Sequence, residues 1–366
     1  MNYSQTKIYR YIKRSQFFYF AKIRLLNKDY KLYKTDMETS QYKSKDIIKK
    51  EMDLVKKYWH CQPLHYIRYQ LYSKSLSKEE LLDYIPPYYH YNFHTAHMYD
   101  NIDQDRYNNK LELYKLFVER NVHTPKVIGY FKGNDFYNIN DEKQNVADLF
   151  SLLANEEKLF IKPAFGAGGT GIIVLKKRNE QFFYQTSAIR PSDLHNILNN
   201  RKTYVVQKGI LQRDDFKEIN PTSVNTLRAV TQWTDNGPQL KVCVMRIGRS
   251  GRDVDNSHQG GLSVQVNVND GSLFPTATAE HGGGILEKHP DTGFIFKDFT
   301  IENWADIKQS IINYAQRFPE LKEIGWDVAV TNRGIEIIEL NLGYGLSHLQ
   351  CCCGGLRRIL NIFPEK

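Results

Sequence analysis

LFIKPAFGAGGTGIIVL, from Leu159 to Leu175, is the stretch that decides the fold. Two runs rich in apolar and β-branched residues flank a loop with four glycines, and Lys162 stands near the end of the first run. These glycines leave backbone N–H groups open to a bulky oxyanion such as phosphate. IIVLKK follows the loop, whereas a helix follows it in the P-loop and dinucleotide-binding patterns. The stretch therefore predicts a strand, a glycine-rich flap and a second strand, with an ordinary hairpin and a flexible tip as the alternative.

A second hairpin is predicted near the carboxyl end, over residues 324–341. Residues 332–334, Asn-Arg-Gly, are expected to form a three-residue loop whose glycine takes the left-handed position. That register sets Asp327 opposite Glu339, and Asn341 shares their face. Two carboxylates among apolar neighbours repel unless a cation lies between them, and oxygen ligands without Cys or His favour Mg²⁺ or Mn²⁺. A register change of one residue would leave two surface acids instead.

Three cations stand where an anionic partner is needed. Arg228 and Arg246 lie in predicted strands among apolar neighbours, where a charge requires a carboxylate or a phosphate. Lys110 lies at the start of a predicted helix, where the helix dipole disfavours positive charge. A bound anion near Lys110 would relieve that conflict, and a chance position on the surface is the alternative.

The composition is that of a globular protein with anionic partners. The chain has 366 residues, 41% of them hydrophobic and 25% charged, and a net charge of +9. This length is sufficient for two or three compact units.

No apolar run is long enough for a membrane span, and no signal-peptide pattern is present. Five cysteines without metal or disulfide spacing indicate reduced thiols, so a cytoplasmic location is expected.

Residues 7–34 are strongly basic, with nine Lys or Arg and one acid interleaved with aromatic and aliphatic residues. Such a segment either lies on an anionic surface, here the inner face of the membrane, or packs as a helix with a solvated basic face. No RNA- or DNA-binding module accompanies it, so no specific nucleic-acid partner is expected.

Taken in chain order, the motifs resemble those of the ATP-grasp superfamily, and within it the sugar-transfer-associated group. The resemblance runs from about Asn92 to Gln350 and is carried by NNK, IKPAFGAGGTGI, VVQKGI, NPTSVNTLRAVT, MRIGRSGRDVDNSHQGG, HPDTG, IGWDVAV and IELN. It implies an α+β, ATP-grasp fold, in which two α+β subdomains clasp ATP. The resemblance implies a small subdomain with the glycine-rich flap (101–206) and a C-terminal subdomain with a metal site (207–366). Helical spacing before them predicts a mainly helical N-terminal region (1–100).

The resemblance also implies a set of site residues. ATP would be contacted by Lys110, Lys162, Gly166, Ala167, Gly168, Gly169, Thr170, Gln207, Lys208 and Ile210. Of these, the first two would reach the α- and β-phosphates, residues 166–170 would close over the phosphates, and residues 207–210 would hold the adenine. One or two Mg²⁺ or Mn²⁺ ions would be held by Asp327, Glu339 and Asn341. The γ-phosphate and acceptor would be faced by the candidate catalytic residues Arg228, Arg246 and Asn256.

By the same resemblance, a carboxylate attacks the γ-phosphate of ATP to form an acyl phosphate, and an amine then displaces phosphate. The expected activity is an ATP- and Mg²⁺-dependent carboxylate–amine ligase in surface polysaccharide or capsule biosynthesis. Its partners would be an anionic carboxylate substrate and an amine acceptor, with or without a sugar linkage. A kinase that stops at phosphoryl transfer and a non-catalytic nucleotide-binding protein are the alternatives.

Overall fold

A computed structural model describes residues 43–153, 156–166, 169–178, 181–198, 202–249, 261–279 and 284–364. The basic segment 7–34 and the site candidates Ala167, Gly168 and Asn256 lie outside these residues. The chain forms two compact units. The first unit comprises the residues up to 102, residues 278–284 and the residues from 343 onward. The second comprises residues 103–277 and 285–342. The division into three regions at residues 100 and 206 stays a prediction.

The helices are numbered in chain order. They are α1 Lys45–Trp59, α2 Leu64–Arg68, α3 Lys78–Leu82, α4 Pro87–Tyr89, α5 Thr95–Met98, α6 Gln104–Asn108, α7 Lys110–Glu119, α8 Val146–Leu153, α9 Leu194–Ile197, α10 Asp214–Ile219, α11 Trp304–Gln316 and α12 Leu346–Cys353. Shorter helical turns are Leu71–Ser73, His90–His94, Pro191–Asp193 and Phe296–Asp298. None of the helices within the described ranges combines the length and apolarity needed to cross a bilayer.

The strands form two sheets. They are β1 Val127–Lys132, β2 Asp135–Asn138, β3 Lys143–Gln144, β4 Lys158–Pro163, β5 Ile173–Arg178, β6 Gln181–Tyr184, β7 Ser187–Ile189, β8 Thr203–Lys208, β9 Thr226–Thr234, β10 Gly237–Ile247, β11 Leu262–Val266, β12 Leu273–Ala279, β13 Ile285–Leu286, β14 Glu323–Thr331 and β15 Gly334–Asn341. The first sheet has the order β3-β2-β1-β8-β4-β5-β6-β7 and the second β13-β12-β11-β10-β9-β14-β15. Helices and antiparallel sheets together confirm the α+β class.

All regular secondary structure described in the first unit before residue 102 is helical, as expected. Its carboxyl-terminal segment is held by buried polar contacts. Gln350 of α12 is fully buried, accepts the backbone N–H of Ile85 at 2.7 Å and donates to the Ile85 carbonyl at 2.8 Å. Arg357 donates its Nε–H to the buried carboxylate of Asp83 at 3.0 Å. These bonds replace the water that the amide and guanidinium groups lose on burial.

The first sheet of the second unit has two faces with different partners. Leu159, Ile161 and Val206 join one apolar cluster, which α8 and α9 cover. Val205 joins the opposite cluster, together with Leu111 of α7. Because side chains alternate along a strand, Lys162 of β4 and Gln207 of β8 share the face of Val205 and α7. The predicted strand, loop and strand are confirmed, because β4 and β5 pair antiparallel on either side of the loop, whereas the role of the loop as a flap stays a prediction.

In the second sheet, β14 lies between β9 and β15, although β9 is far from β14 along the chain. Asp327 is paired with Glu339 on one side, as the sequence predicts, and with Arg228 on the other. The predicted loop length is wrong. Thr331 pairs with Gly334, which leaves a two-residue loop, and a register shift between Asp327 and Val328 then restores the predicted pairing. The extra residue of this bulge compensates for the shorter turn.

Candidate active site

Asp327 is the centre of a charged cluster on one face of the second sheet. Residues paired across antiparallel strands share a face, so Arg228, Asp327 and Glu339 lie side by side on β9, β14 and β15. Arg246 of β10 stands two residues beyond Val244, the partner of Arg228, and therefore shares that face.

Both predicted arginines find their partner in the Asp327 carboxylate. Arg228 donates its Nε–H to one oxygen at 2.5 Å, and Arg246 donates from Nη1 to the other at 3.3 Å. The side chains of Arg228, Asp327 and Arg246 are only 7%, 8% and 15% exposed. The sequence left a carboxylate and a phosphate open as partners, and within the protein the partner is the carboxylate. Buried charges of this kind hold one another in fixed positions because each compensates the desolvation of the other.

Lys110 joins the flap to the acidic hairpin. Its Nζ donates to the carbonyl oxygen of Gly166, at the root of the flap, at 2.7 Å and lies 3.3 Å from a carboxylate oxygen of Glu339. Its backbone N–H also donates to the carbonyl of Ala164 at 2.8 Å. The carboxylate of Glu339 thus supplies the anion that a cation at the start of α7 requires.

Lys162 is oriented by Gln207. Its Nζ donates to Gln207 Oε1 at 2.7 Å, and Gln207 Nε2 donates to the carbonyl of Pro125 at 3.0 Å. Gln207 is 7% exposed and uses both ends of its amide within the protein. Gln207 therefore supports Lys162 from within the protein, and its contact with the adenine stays a prediction.

The neighbouring adenine candidates are placed at the end of β8. Lys208 forms an ion pair with Glu156, and its backbone N–H donates to the carbonyl of Lys126 at 2.9 Å. Ile210 is half-buried just beyond the strand. Glu156 was not among the predicted site residues, because a single acid before a strand carries no local signal of its partner.

The described part of the flap has the backbone that its glycines predict. Gly166, Gly169 and Gly171 have φ values of 137°, 70° and 76°, in the region that favours glycine. Thr170 is exposed beside them. A phosphate-binding role for residues 166–170 stays a prediction, since two of those residues are outside the described chain.

The oxygen donors of the hairpin fit a hard divalent cation. Glu339 has a 30% exposed side chain, and Asn341 donates its Nδ2 to the Gly325 carbonyl at 3.4 Å, which directs its amide oxygen the other way. Carboxylate and amide oxygens are the ligands that Mg²⁺ prefers. Asp327 differs, because both of its oxygens already accept from arginines. The repulsion between the carboxylates, from which the sequence analysis inferred a metal ion, is relieved by Lys110 and the two arginines.

One signal for the Asp327 cluster was present in the sequence. The stretches NTLRAVT and IGWDVAV are strands with one charge each, of opposite sign, among otherwise apolar or uncharged residues. Two such charges in fully covered strands are best compensated by each other. Matching them would have predicted that β9 and β14 are neighbours.

Comparison with known proteins identifies a family over most of the chain. The family model described as sugar-transfer associated ATP-grasp matches residues 91–362. No curated protein matches. Among solved structures, D-alanyl-alanine synthetase A from Vibrio cholerae has 9% identity and a TM-score of 0.40, and covers 69% of this chain and 60% of its own.

Two further solved structures are similar at the same level. D-alanine–D-alanine ligase from Bacillus anthracis has 12% identity and a TM-score of 0.34, over 64% of this chain and 57% of its own. L-amino acid ligase from Bacillus licheniformis has 8% identity and a TM-score of 0.37, over 78% of this chain and 47% of its own. The chain therefore spans less than two thirds of the length of each of these proteins.

Proposed function

The chain belongs to the sugar-transfer associated ATP-grasp family, and we propose that it is an ATP- and Mg²⁺-dependent ligase that joins a carboxylate to an amine. A carboxylate oxygen attacks the γ-phosphorus of ATP, the bond to the β,γ-bridging oxygen breaks, and ADP leaves. The amine nitrogen then attacks the acyl carbon, the bond from that carbon to the phosphate oxygen breaks, and an amide, phosphate and a proton are released. ATP thus supplies the free energy of the amide bond.

The position of Lys110 carries this proposal. One ammonium group contacts the flap root at Gly166 and the carboxylate of Glu339 on the hairpin. The flap and the hairpin therefore stand within the reach of a single side chain, and a triphosphate between them would contact both. An anionic phosphate oxygen is also a stronger acceptor for the lysine than the Gly166 carbonyl.

The cations around this position suit a polyphosphate. Lys162, held by Gln207, would neutralise the α- and β-phosphates together with Lys110. Arg228 has five N–H donors and gives Nε–H to Asp327, so other N–H groups remain for oxygens of the transferred phosphoryl group. Because Asp327 fixes the arginines beforehand, little reorganisation is needed as charge develops in the transition state.

Glu339 and Asn341 are the residues that would hold Mg²⁺. Asp327 would join them only by sharing an oxygen that now accepts from an arginine. When bound, the ion would neutralise phosphate charge. The contribution of the chain is to present two oxygens on alternate residues of one strand, which keeps both on one face.

Trapping with hydroxylamine tests the proposal without knowledge of the natural amine. Hydroxylamine converts an acyl phosphate into a hydroxamate, which is detected by its iron(III) colour. Pools of amino acids, uronic acids and other carboxylates are incubated with the protein, Mg²⁺-ATP and hydroxylamine, and ADP is measured in parallel. Omission of ATP, and the variant Lys162→Met, are the controls.

Each outcome separates one class of function. Hydroxamate that depends on ATP and on the carboxylate supports a ligase. A phosphorylated product that resists hydroxylamine identifies a kinase. Absence of binding of a fluorescent ATP analogue to the folded protein would contradict every nucleotide-dependent function.

We also propose that this ligation belongs to surface polysaccharide or capsule assembly in the cytoplasm, at the inner face of the membrane. The support is the family name and the basic composition of residues 7–34. Flotation with vesicles containing phosphatidylserine, for the full chain and for a variant lacking residues 1–35, tests the membrane contact. Equal flotation of the two proteins would exclude a contact through this segment.

A further inference from the structure

The carboxyl end of β10, two residues after Arg246, is held by a buried histidine. His289 is fully buried, and its Nε2 lies 3.0 Å from the carbonyl oxygen of Gly248. Its Nδ1 accepts the backbone N–H groups of Asp291 and Thr292, both at 3.3 Å. Because Nδ1 accepts, the ring proton is on Nε2, and Nε2–H donates to Gly248.

Side chains of a second segment, residues 219–223, pack against Gly248. A Cβ atom on Gly248 would stand 2.1 Å from Ser223 Oγ, so any side chain there would require Ser223 to move. Asn220 Nδ2 donates to the same Ser223 Oγ at 3.1 Å. Thr292 Oγ1 donates to the carbonyl of Ile219 at 2.9 Å and so joins the two segments. We call residues 219–223 and 289–292 the β10 clasp.

Arg249, the residue after Gly248, also bonds to residues 289–292. Arg249 donates to both carboxylate oxygens of Asp291, at 2.7 and 2.8 Å. The pair is partly exposed, so its contribution to stability is small. Its two parallel hydrogen bonds nevertheless fix the direction in which the chain leaves β10.

Arg246 needs such a support more than Arg228 does. Arg228 stands directly opposite Asp327, whereas Arg246 reaches the same carboxylate diagonally, at 3.3 Å. A displacement of the end of β10 would therefore move Arg246 out of contact first. The clasp holds that end by hydrogen bonds to Gly248 and Arg249.

We propose that His289 is a positioning residue for Arg246: by fixing the Gly248 carbonyl, it holds the Arg246 guanidinium against Asp327 and towards the transferred phosphate. The catalytic consequence rests on the proposed function. The positioning itself does not, since it concerns the protein without ATP.

The experiment compares His289→Ala, His289→Gln and His195→Ala, the last being a matched change at an exposed histidine of the same unit. For each folded variant, dissociation of a fluorescent ATP analogue is measured, together with the kcat and KM of ADP release from Mg²⁺-ATP in the presence of a carboxylate pool that gives ATP-dependent hydroxamate. His289→Ala should lower kcat about tenfold to a hundredfold, as expected for a displacement of about 1 Å, with analogue binding changed by less than about threefold. His289→Gln should recover part of the loss, because its amide N–H can donate to Gly248. His195→Ala should equal the wild type.

An NMR spectrum of the arginine Nε–H groups tests the geometry without ATP. Signals are assigned with Arg228→Lys and Arg246→Lys. In His289→Ala the Arg246 signal should shift and the Arg228 signal should stay. If both stay and kcat is unchanged, the proposal is overturned. If the wild type releases no ADP with any of the carboxylate pools, the proposed function is contradicted, while the spectrum still decides the positioning.

A second variant keeps the proposal testable if His289→Ala does not fold. Asp291→Asn leaves His289 in place and weakens the grip on Arg249. It should shift the Arg246 signal in the same direction and lower kcat about twofold to tenfold. A wild-type spectrum in Asp291→Asn would count against the clasp.

Discussion

Replacement of Asp327 by asparagine should lower the stability of the protein as well as its activity. The substitution keeps the size of the side chain and removes its charge. Arg228 and Arg246, with side chains 7% and 15% exposed, would then lack the carboxylate that compensates their burial. Removal of one partner of a buried ion pair is more harmful than removal of both, because the remaining charge stays desolvated.

The size of the effect follows from burial and from what asparagine retains. Loss of one partner of a buried pair costs about 3–5 kcal/mol. The asparagine oxygen still accepts one hydrogen bond, and Arg246 is close enough to solvent to regain some hydration, so about 2–4 kcal/mol is expected. For a unit of this size, the melting temperature should fall by about 5–12 °C.

Glu339→Gln is the matched control. Glu339 is 30% exposed and has its ion pair with Lys110 at 3.3 Å, so its loss should cost about 1 kcal/mol or less. Urea unfolding at pH 7.5 and calorimetry measure both variants. ADP release should fall about a hundredfold or more in each, since one variant loses the arginine support and the other the charge of a proposed metal ligand.

Two results would refute this reasoning. Asp327→Asn could unfold at the urea concentration of the wild type, which would mean that the arginines do not depend on the carboxylate. Alternatively, Glu339→Gln could be equally destabilising, which would show that exposure does not govern the cost. A further check is Asp327→Asn combined with Arg246→Met, which should recover part of the lost stability because one of the two buried charges that faced the Asp327 carboxylate is gone.

Three other changes test separate parts of the structure. Lys162→Met should weaken binding of a fluorescent ATP analogue about tenfold or more. Gln207→Leu should weaken it less in the same titration, because Lys162 then loses the hydrogen bond that holds it. Equal binding by Gln207→Leu and the wild type would contradict that support. Lys110→Met should make the chain near Gly166 more sensitive to limited proteolysis in the absence of nucleotide, because the hydrogen bond from Lys110 to the Gly166 carbonyl is lost. An unchanged cleavage pattern would count against a role of Lys110 in holding the flap. Burial lowers the pKa of His65 from 6.5 to about 3, so the unfolded chain binds a proton more readily than the folded one. The contribution of His65 to the free energy of unfolding is therefore fully present above pH 6.5, and about 2 kcal/mol of it should be lost at pH 5. In urea unfolding, His65→Leu should lose less stability than the wild type over this pH range.

The sequence alone determined the local elements and the pairing of neighbours along the chain. β-Branched runs on either side of clustered glycines gave β4, the flap and β5, because such runs form strands and glycine tolerates positive φ. Asp327 and Glu339 were placed opposite each other, since one short turn sets the register of a hairpin. Even here the turn was one residue shorter than predicted, and a bulge that leaves no mark in the sequence restored the pairing.

The tertiary structure alone decided which distant strands and side chains meet. Because β14 lies beside β9, Asp327 contacts Arg228 and Arg246. Because α7 packs on the first sheet, Lys110 contacts both the flap at Gly166 and the carboxylate of Glu339. Strand order depends on how the whole chain buries its apolar faces, so the local sequence encodes little of it beyond the opposite charges of β9 and β14. For this reason the sequence predicted that the arginines and lysine need anionic partners, and only the folded chain decided which carboxylates those partners are.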